Sequence, residues 1–393
     1  MKAFRTLVFW LHLITGLTVG VVVLVMSVTG VLLTYERQML QWADTRGLDG
    51  ASPTAGAARL DVATLVTRAT DAVKRSPTAI TWRAASDAPV EIAFGRERSV
   101  FVNAYTGEVL GDGSQGAHML FQKITDWHRV LGAAGPTRAR GKAITGVANL
   151  GFLFIVVSGL YLWWPRHWTR RTLRNATVFR RGLRSKARDF NWHNVIGLWS
   201  WAPLVIVVAS GVVLSYSWAN RLVYRSVGEQ PSAAGPPPGT KDGRASSAAA
   251  LSMDSLVARA ALRVPEWRSI SLTLPTSPSA PMVFQIDGGT GGQPQKRVEL
   301  ALDRVTGREV RWQSFATLTP GRRLRAIFRF AHTGEVLGVV GQTVAGLASF
   351  GAVFLVYTGL ALSWRRLLSW RRRRQRFAAD GHLRGPTAVR ARL

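Results

Sequence analysis

The sequence predicts a membrane α-helical four-helix bundle that carries two external α+β units. Four apolar runs, Phe9–Tyr35, Ala143–Trp164, Val195–Trp218 and Val339–Trp364, each reach the roughly 20 residues that a helix needs to cross hydrocarbon. Two long polar insertions separate them in pairs. The halves also repeat, which predicts an internal duplication of span–domain–span. His12, Gly16, Gly30 and Tyr35 recur as His193, Gly197, Gly211 and Tyr216, at offsets of 4, 18 and 23 residues from each histidine.

The predicted order is span 1 (1–35), an external unit with its connecting segment (36–142), span 2 (143–165) and a basic loop (166–189). Span 3 (190–218), a tether with a second external unit (219–338), span 4 (339–364) and a basic tail (365–393) follow. The first run is too long for a secretory h-region and leads into Tyr35-Glu36-Arg37-Gln38 without a small-residue cleavage site, so it reads as a retained anchor.

The first insertion offers an amphipathic helix over Leu60–Arg75, with Val62, Leu65, Val66, Ala69 and Val73 on one face. Strand-like runs follow at Ala79–Ala84, Val90–Phe94 and Ser99–Ala104. The second offers a helix near Met253–Arg263 and runs at Ser269–Leu274, Met282–Ile286 and Arg297–Leu302. Each closes on an Asn/Asp-x-x-Thr-Gly step, Asn103 to Gly107 and Asp303 to Gly307. There the amide or acid organises a hairpin turn and the glycine takes positive φ. Each insertion thus predicts one helix against a short antiparallel sheet. Gly228–Ala250, rich in Pro, Gly, Ser and Ala, reads as a flexible tether.

Spans 2 and 4 echo each other too. Gly141, Gly146, Gly159 and Trp164 match Gly341, Gly346, Gly359 and Trp364. His128 and His332 stand at the starts of these spans, and Gly135-Pro136-Thr137-Arg138 reads as a loop insertion that sets the two halves out of step.

The chain of 393 residues has a formal net charge of +29 and no cysteine. Without cysteine there is no disulfide, thiolate nucleophile, iron–sulfur cluster or covalently attached haem. The basic residues flank spans, and short basic loops stay in the cytoplasm. Both termini and the 166–189 loop are therefore expected inside, and the two units outside, which in a bacterial inner membrane means the periplasm. Topology accounts for the charge, so no nucleic acid is expected as partner; the lipid bilayer is.

A histidine within a span is costly and usually functional. His12 and His193 fall near the cytoplasmic ends of their spans, and His128 and His332 near the external ends. Two imidazoles from facing helices suit a b-type haem iron, so the pattern predicts two haems b per chain, one near each surface. From His12 to Tyr35 a helix rises about 34 Å, enough to relay an electron across the bilayer. Gly16 and Gly197 lie one turn from their histidines, and Gly132 has the same offset from His128, where each leaves room for a macrocycle; the same glycines also suit close helix packing. His118 is a further candidate metal ligand or substrate contact. His167 reads as a headgroup-level residue and His382 as part of a disordered tail. Arg129, Arg138, Arg140, Arg325 and Arg329 surround the expected outer site, where they would attract an anionic chelate or phospholipid headgroups. No His-Glu-x-x-His, phosphate loop or Gly-x-Ser-x-Gly motif is present. No catalytic residue is therefore assigned apart from the haem sites, and the electron donor, a cytoplasmic protein or a membrane quinol, is external.

The alternation of spans and α+β units, the two Asn/Asp-x-x-Thr-Gly closures, the Trp127-His128 step, the His-x-x-x-Gly starts and the Ser158-Gly159-Leu160-Tyr161-Leu162-Trp163-Trp164-Pro165 ending together resemble the PepSY-associated transmembrane family over nearly the whole chain. The type most resembled is the FoxB-like inner-membrane ferrisiderophore reductase. That resemblance implies PepSY-like external units, haem b between the helices, ligands at His12, His128, His193 and His332, and reduction of a ferric siderophore in the periplasm. Copper or quinone as the acceptor, or a non-enzymatic PepSY binding or inhibitory role, are the other readings.

Overall fold

The computed structural model describes residues 2–48, 50, 57–95, 98–165, 169–231, 250–275, 277 and 280–383. In chain order the helices are α1 (Lys2–Leu32), α2 (Glu36–Thr45), α3 (Val62–Val73), α4 (Gln115–Val130), α5 (Arg138–Trp163) and α6 (Arg170–Thr177). They continue with α7 (Ser185–Ser215), α8 (Ser217–Arg225), α9 (Met253–Arg263), α10 (Pro320–His332) and α11 (Gly338–Leu383). The strands are β1 (Ala79–Arg83), β2 (Val90–Ala93), β3 (Ser99–Val102), β4 (Val109–Asp112), β5 (Ser269–Thr273), β6 (Met282–Asp287), β7 (Arg297–Leu302) and β8 (Glu309–Ser314). The chain divides into a helical unit (1–31, 126–212, 344–393) and a sheet unit (32–125, 213–343).

Among the described residues, four helical segments are long and apolar enough to cross a membrane: Lys2–Leu32, Gly135–Trp163, Ser185–Ser215 and Glu335–Gln375. They bear out the four predicted spans. In the helical unit their contacts close a ring. A Cβ on Gly151 of α5 would lie 3.2 Å from Val19 of α1. Buried Asn149 of α5 donates to the Val208 carbonyl of α7 at 3.2 Å. Val156, Leu204, Ala348 and Ala352 form a small core among α5, α7 and α11, and Gly20 of α1 faces Val356 and Leu360 of α11. With so little apolar gain available between helices in lipid, small residues and a buried amide are what bring such helices together. At one end Asp189, 1% exposed, receives Arg188 of its own helix at 3.1 Å and Arg365 of α11 at 2.9 Å.

The sheet unit departs from expectation. Instead of two separate small sheets it holds one sheet of eight strands, ordered β4-β3-β2-β1-β5-β6-β7-β8. β1 and β5 pair antiparallel at its centre, with Ile80 opposite Leu272 and Thr81 opposite Ser271. Beyond the strand ends, Ala84 N–H donates to Arg268 O and Leu274 N–H donates to Thr78 O, both at 2.9 Å. The pairing has a simple cause. β1 and β5 would each be an exposed edge if the insertions stood alone, and joining them satisfies both backbone rows. α3 and α9 cover one face over a single core that includes Leu65, Ile80, Ile92, Leu256, Leu272, Phe284 and Ile286.

The predicted turns are present. The Asn103 side chain accepts the N–H groups of Tyr105 and Thr106, Asp303 accepts those of Val305 and Thr306, and Gly107 and Gly307 take φ of +71° and +67°. Three readings need correction. The segment before span 3 is not simply a loop, since it holds α6 and the first turn of α7. His128 and His332 do not begin the spans but close the separate amphipathic helices α4 and α10. The tail expected to be disordered continues span 4 as helix through Leu383. His167, most of the Gly228–Ala250 tether and residues 384–393 lie outside the described residues.

Candidate functional site

Three of the four predicted ligands have the same local arrangement. His12 Nδ1 lies 2.9 Å from Ser158 Oγ, His193 Nδ1 lies 2.9 Å from Thr358 Oγ1, and His128 Nδ1 lies 3.0 Å from Thr29 Oγ1. Each partner is a hydroxyl on another helix. Each hydroxyl also reaches a carbonyl of its own helix: Ser158 to Ile155 at 3.3 Å, Thr358 to Phe354 at 2.7 Å and Thr29 to Val25 at 2.7 Å.

A hydroxyl has one proton and two lone pairs. If that proton goes to the helix carbonyl, the hydroxyl accepts from an imidazole protonated on Nδ1, and in His12 and His193 this turns Nε2 to a metal. A histidine that ligates a metal through one nitrogen while the other donates to an oriented acceptor has the same construction.

A glycine follows each hydroxyl and faces the ring. A Cβ on Gly159, next to Ser158, would lie 3.5 Å from His12 Cε1; on Gly359, next to Thr358, 3.5 Å from His193 Cε1; and on Gly30, next to Thr29, 3.5 Å from His128 Cε1. Each ring thus rests on a hydroxyl–glycine step. On the histidine side, a Cβ on Gly16 would meet no atom within 4 Å, and one on Gly197 would meet only Leu355, at 3.6 Å. The donor set, the hydroxyl partners of the rings and the room beside the histidines fit a bis-imidazole haem.

Gly132 does not act as expected. It lies past the end of α4 with φ of +71°, after Leu131 at φ +55°, and its N–H bonds to Asp126 O at 3.1 Å. It ends a helix and is packed against Trp127, so it shares no helical face with His128. His118 bonds Asp44 through Nε2 at 2.9 Å; its ε nitrogen is engaged with a carboxylate. His332 ends α10 in the sheet unit and is half-buried. Arg138 pairs with Asp126 at 3.1 Å, Arg129 and Arg140 are exposed, and Arg329 lies over the Phe330 ring. Burial lowers the Arg325 pKa from its ordinary value.

Ser158, Thr358 and Thr29 were not singled out from the sequence. The signal was available: Ser158-Gly159 and Thr358-Gly359 occupy matching places in spans 2 and 4. A family model for the PepSY-associated TM region matches residues 9–366. No curated protein matches the chain.

Proposed function

The chain belongs to the PepSY-associated TM region family, and from that premise we propose that it is a haem-containing inner-membrane reductase that passes electrons across the membrane to reduce Fe(III)-siderophore in the periplasm and release Fe(II). The observation that carries this reading is the set of three imidazoles, each with Nδ1 within 3.0 Å of a hydroxyl of another helix, the arrangement that turns Nε2 of His12 and His193 to a metal.

His12 and His193 would hold one haem b, and His128 would serve the second. Bound there, the group supplies one-electron redox chemistry. The residues of the chain do the rest. Ser158 and Thr358 fix the rotation and tautomer of the inner pair, and Thr29 does so for His128. Gly16 and Gly197 keep space beside the inner ligands. Each Fe(III) takes one electron, originating from a cytoplasmic donor or a membrane quinol. Oxygen ligands bind Fe(II) less firmly than Fe(III), so reduction loosens the chelate.

The same reading places both termini and the basic segments in the cytoplasm and the sheet unit in the periplasm. It also treats the chain as a duplication. The reciprocal bonds Ala84 to Arg268 and Leu274 to Thr78 support that view, because exchanging the two halves turns one into the other.

The test is stopped-flow oxidation of the dithionite-reduced purified protein by a ferric siderophore, with ferrozine to trap Fe(II). The expected result is haem re-oxidation that matches Fe(II) release. Reduced protein that stays reduced in excess chelate would contradict the proposal.

A further inference from the structure

A cavity of about 660 Å³ lies in the sheet unit between α2 and the sheet face opposite α3 and α9. Arg83 and Ser269 stand directly opposite each other on β1 and β5, and Thr81 and Ser271 form the next pair on that face. Their neighbours Ile80, Trp82, Ile270 and Leu272 point into the core, so alternation along the strands sends these polar side chains to the cavity side. The Arg268 guanidinium and the Gln41 amide complete this part of the lining.

Most of the charged groups around it are engaged with one another. Asp44 accepts Ser114 N–H at 2.8 Å and His118 at 2.9 Å. Asp287 accepts Gly289 N–H and Arg297 Nε. Arg37 is paired with Glu335 at 3.1 Å. Arg83 keeps a longer ion pair with Glu91 at 3.8 Å, and Arg268 has no ion-pair partner among the described residues. Two planar forks beside serine hydroxyls present donors only, and that geometry matches carboxylates. The volume lies in the range of a small-molecule site.

We propose that this cavity binds a carboxylate-bearing chelate of a trivalent metal, with Arg83 and Arg268 gripping its carboxylates across the β1–β5 seam. The proposal deepens the reductase reading and rests on it for the choice of a metal chelate. None of the five arginines picked out in the sequence lines this cavity.

The test is calorimetric titration of the full chain in lipid nanodiscs with Ga(III)–citrate, which binds as a ferric chelate does but takes no electron. Arg268→Gln and Arg83→Gln should each weaken binding about tenfold, the loss expected for one charge-assisted hydrogen-bonding group. The double variant should be weaker than either, while Lys74→Gln, at the end of α3, should bind as the parent does. Circular dichroism of each variant checks folding, and Arg268→Lys should fall between parent and Arg268→Gln. An unbound parent, or a double variant with parental affinity, would overturn the site. Metal-free citrate binding as tightly as the gallium complex would overturn the chelate assignment. Parental binding of Ga(III)–citrate by a protein that does not reduce ferric chelates would refute the reductase reading and leave the anion site standing.

Discussion

Ser158 Oγ stands 2.9 Å from His12 Nδ1 with its own proton aimed at the Ile155 carbonyl, and Thr358 stands in the same relation to His193. A hydroxyl so engaged can accept from the imidazole it faces, the arrangement of a ring that ligates through Nε2.

Removing that acceptor should loosen the ligand without deleting it. Ser158→Ala and Thr358→Ala should each weaken haem retention about 10–100-fold, the scale of lost outer-shell partners at metal sites. They should also raise the midpoint potential, since a donated Nδ1–H makes the imidazole a stronger donor to Fe(III). Ser158→Thr should restore both. Spectroelectrochemical titration reads the potential, and an unchanged value in both alanine variants would contradict Nδ1 donation to the hydroxyl.

The glycine steps make a positional prediction. A Cβ on Gly159 already comes within 3.5 Å of His12 Cε1, so Gly159→Leu would drive the ring from its place. The inner haem should be lost and the outer one retained, halving the haem-to-protein ratio in a pyridine haemochrome assay. Loss of both would argue against separate sites.

At one end of the helical unit, Asp189→Asn leaves Arg188 and Arg365 facing an uncharged group. Breaking a fully buried pair costs roughly 3–5 kcal/mol. Here the two guanidinia are 43% and 30% exposed, and solvent screening cuts the expected loss to about 2 kcal/mol. Thermal unfolding in a fixed detergent measures it.

The shared sheet predicts that damage at the seam is felt in both insertions. Ile80 is fully buried, and Ile80→Ala should cost about 2–5 kcal/mol. Hydrogen exchange should then rise in β2 and β3 and also in β6 and β7. Exchange confined to the first insertion would mean that the two halves fold independently.

The second turn makes a pH prediction. The Thr306 N–H, the Thr306 hydroxyl and then the Val305 N–H hold the Asp303 carboxyl below its ordinary value of 3.8. The pKa of the folded state lies below that of the unfolded state, so the stabilisation is full above about pH 4 and disappears as pH falls through the lower, folded value. Asp303→Ala should be less stable than the parent at pH 6, and the gap should close as acidification protonates the carboxyl in the folded state. A gap that persists after that protonation would contradict the carboxylate's role.

Much of this was legible in the sequence because it is periodic. The four spans follow from length and hydropathy, and α9 and β7 have the bounds read from the chain. The α3 helix follows from its apolar spacing and the turns at Gly107 and Gly307 from a five-residue chemistry. The β1–β5 seam was not legible, because it joins residues 190 apart in sequence and strand pairing leaves no local mark. α4 and α10 were hidden because short amphipathic helices next to spans blend into their apolar runs, which also put Gly132 in the wrong phase to His128. Ser158, Thr358 and Thr29 escaped notice because a hydroxyl in a span ordinarily serves helix packing.

The central claim is that pairs of imidazoles hold haem in this bundle. Its most direct test is a reduced-minus-oxidised absorption spectrum of the purified chain, with pyridine haemochrome quantitation. The account predicts the sharp bands of low-spin, six-coordinate haem b and about two haems per chain, the inner one lost in His12→Ala and in His193→Ala. A chain purified with haem supplied throughout that remains colourless would contradict it.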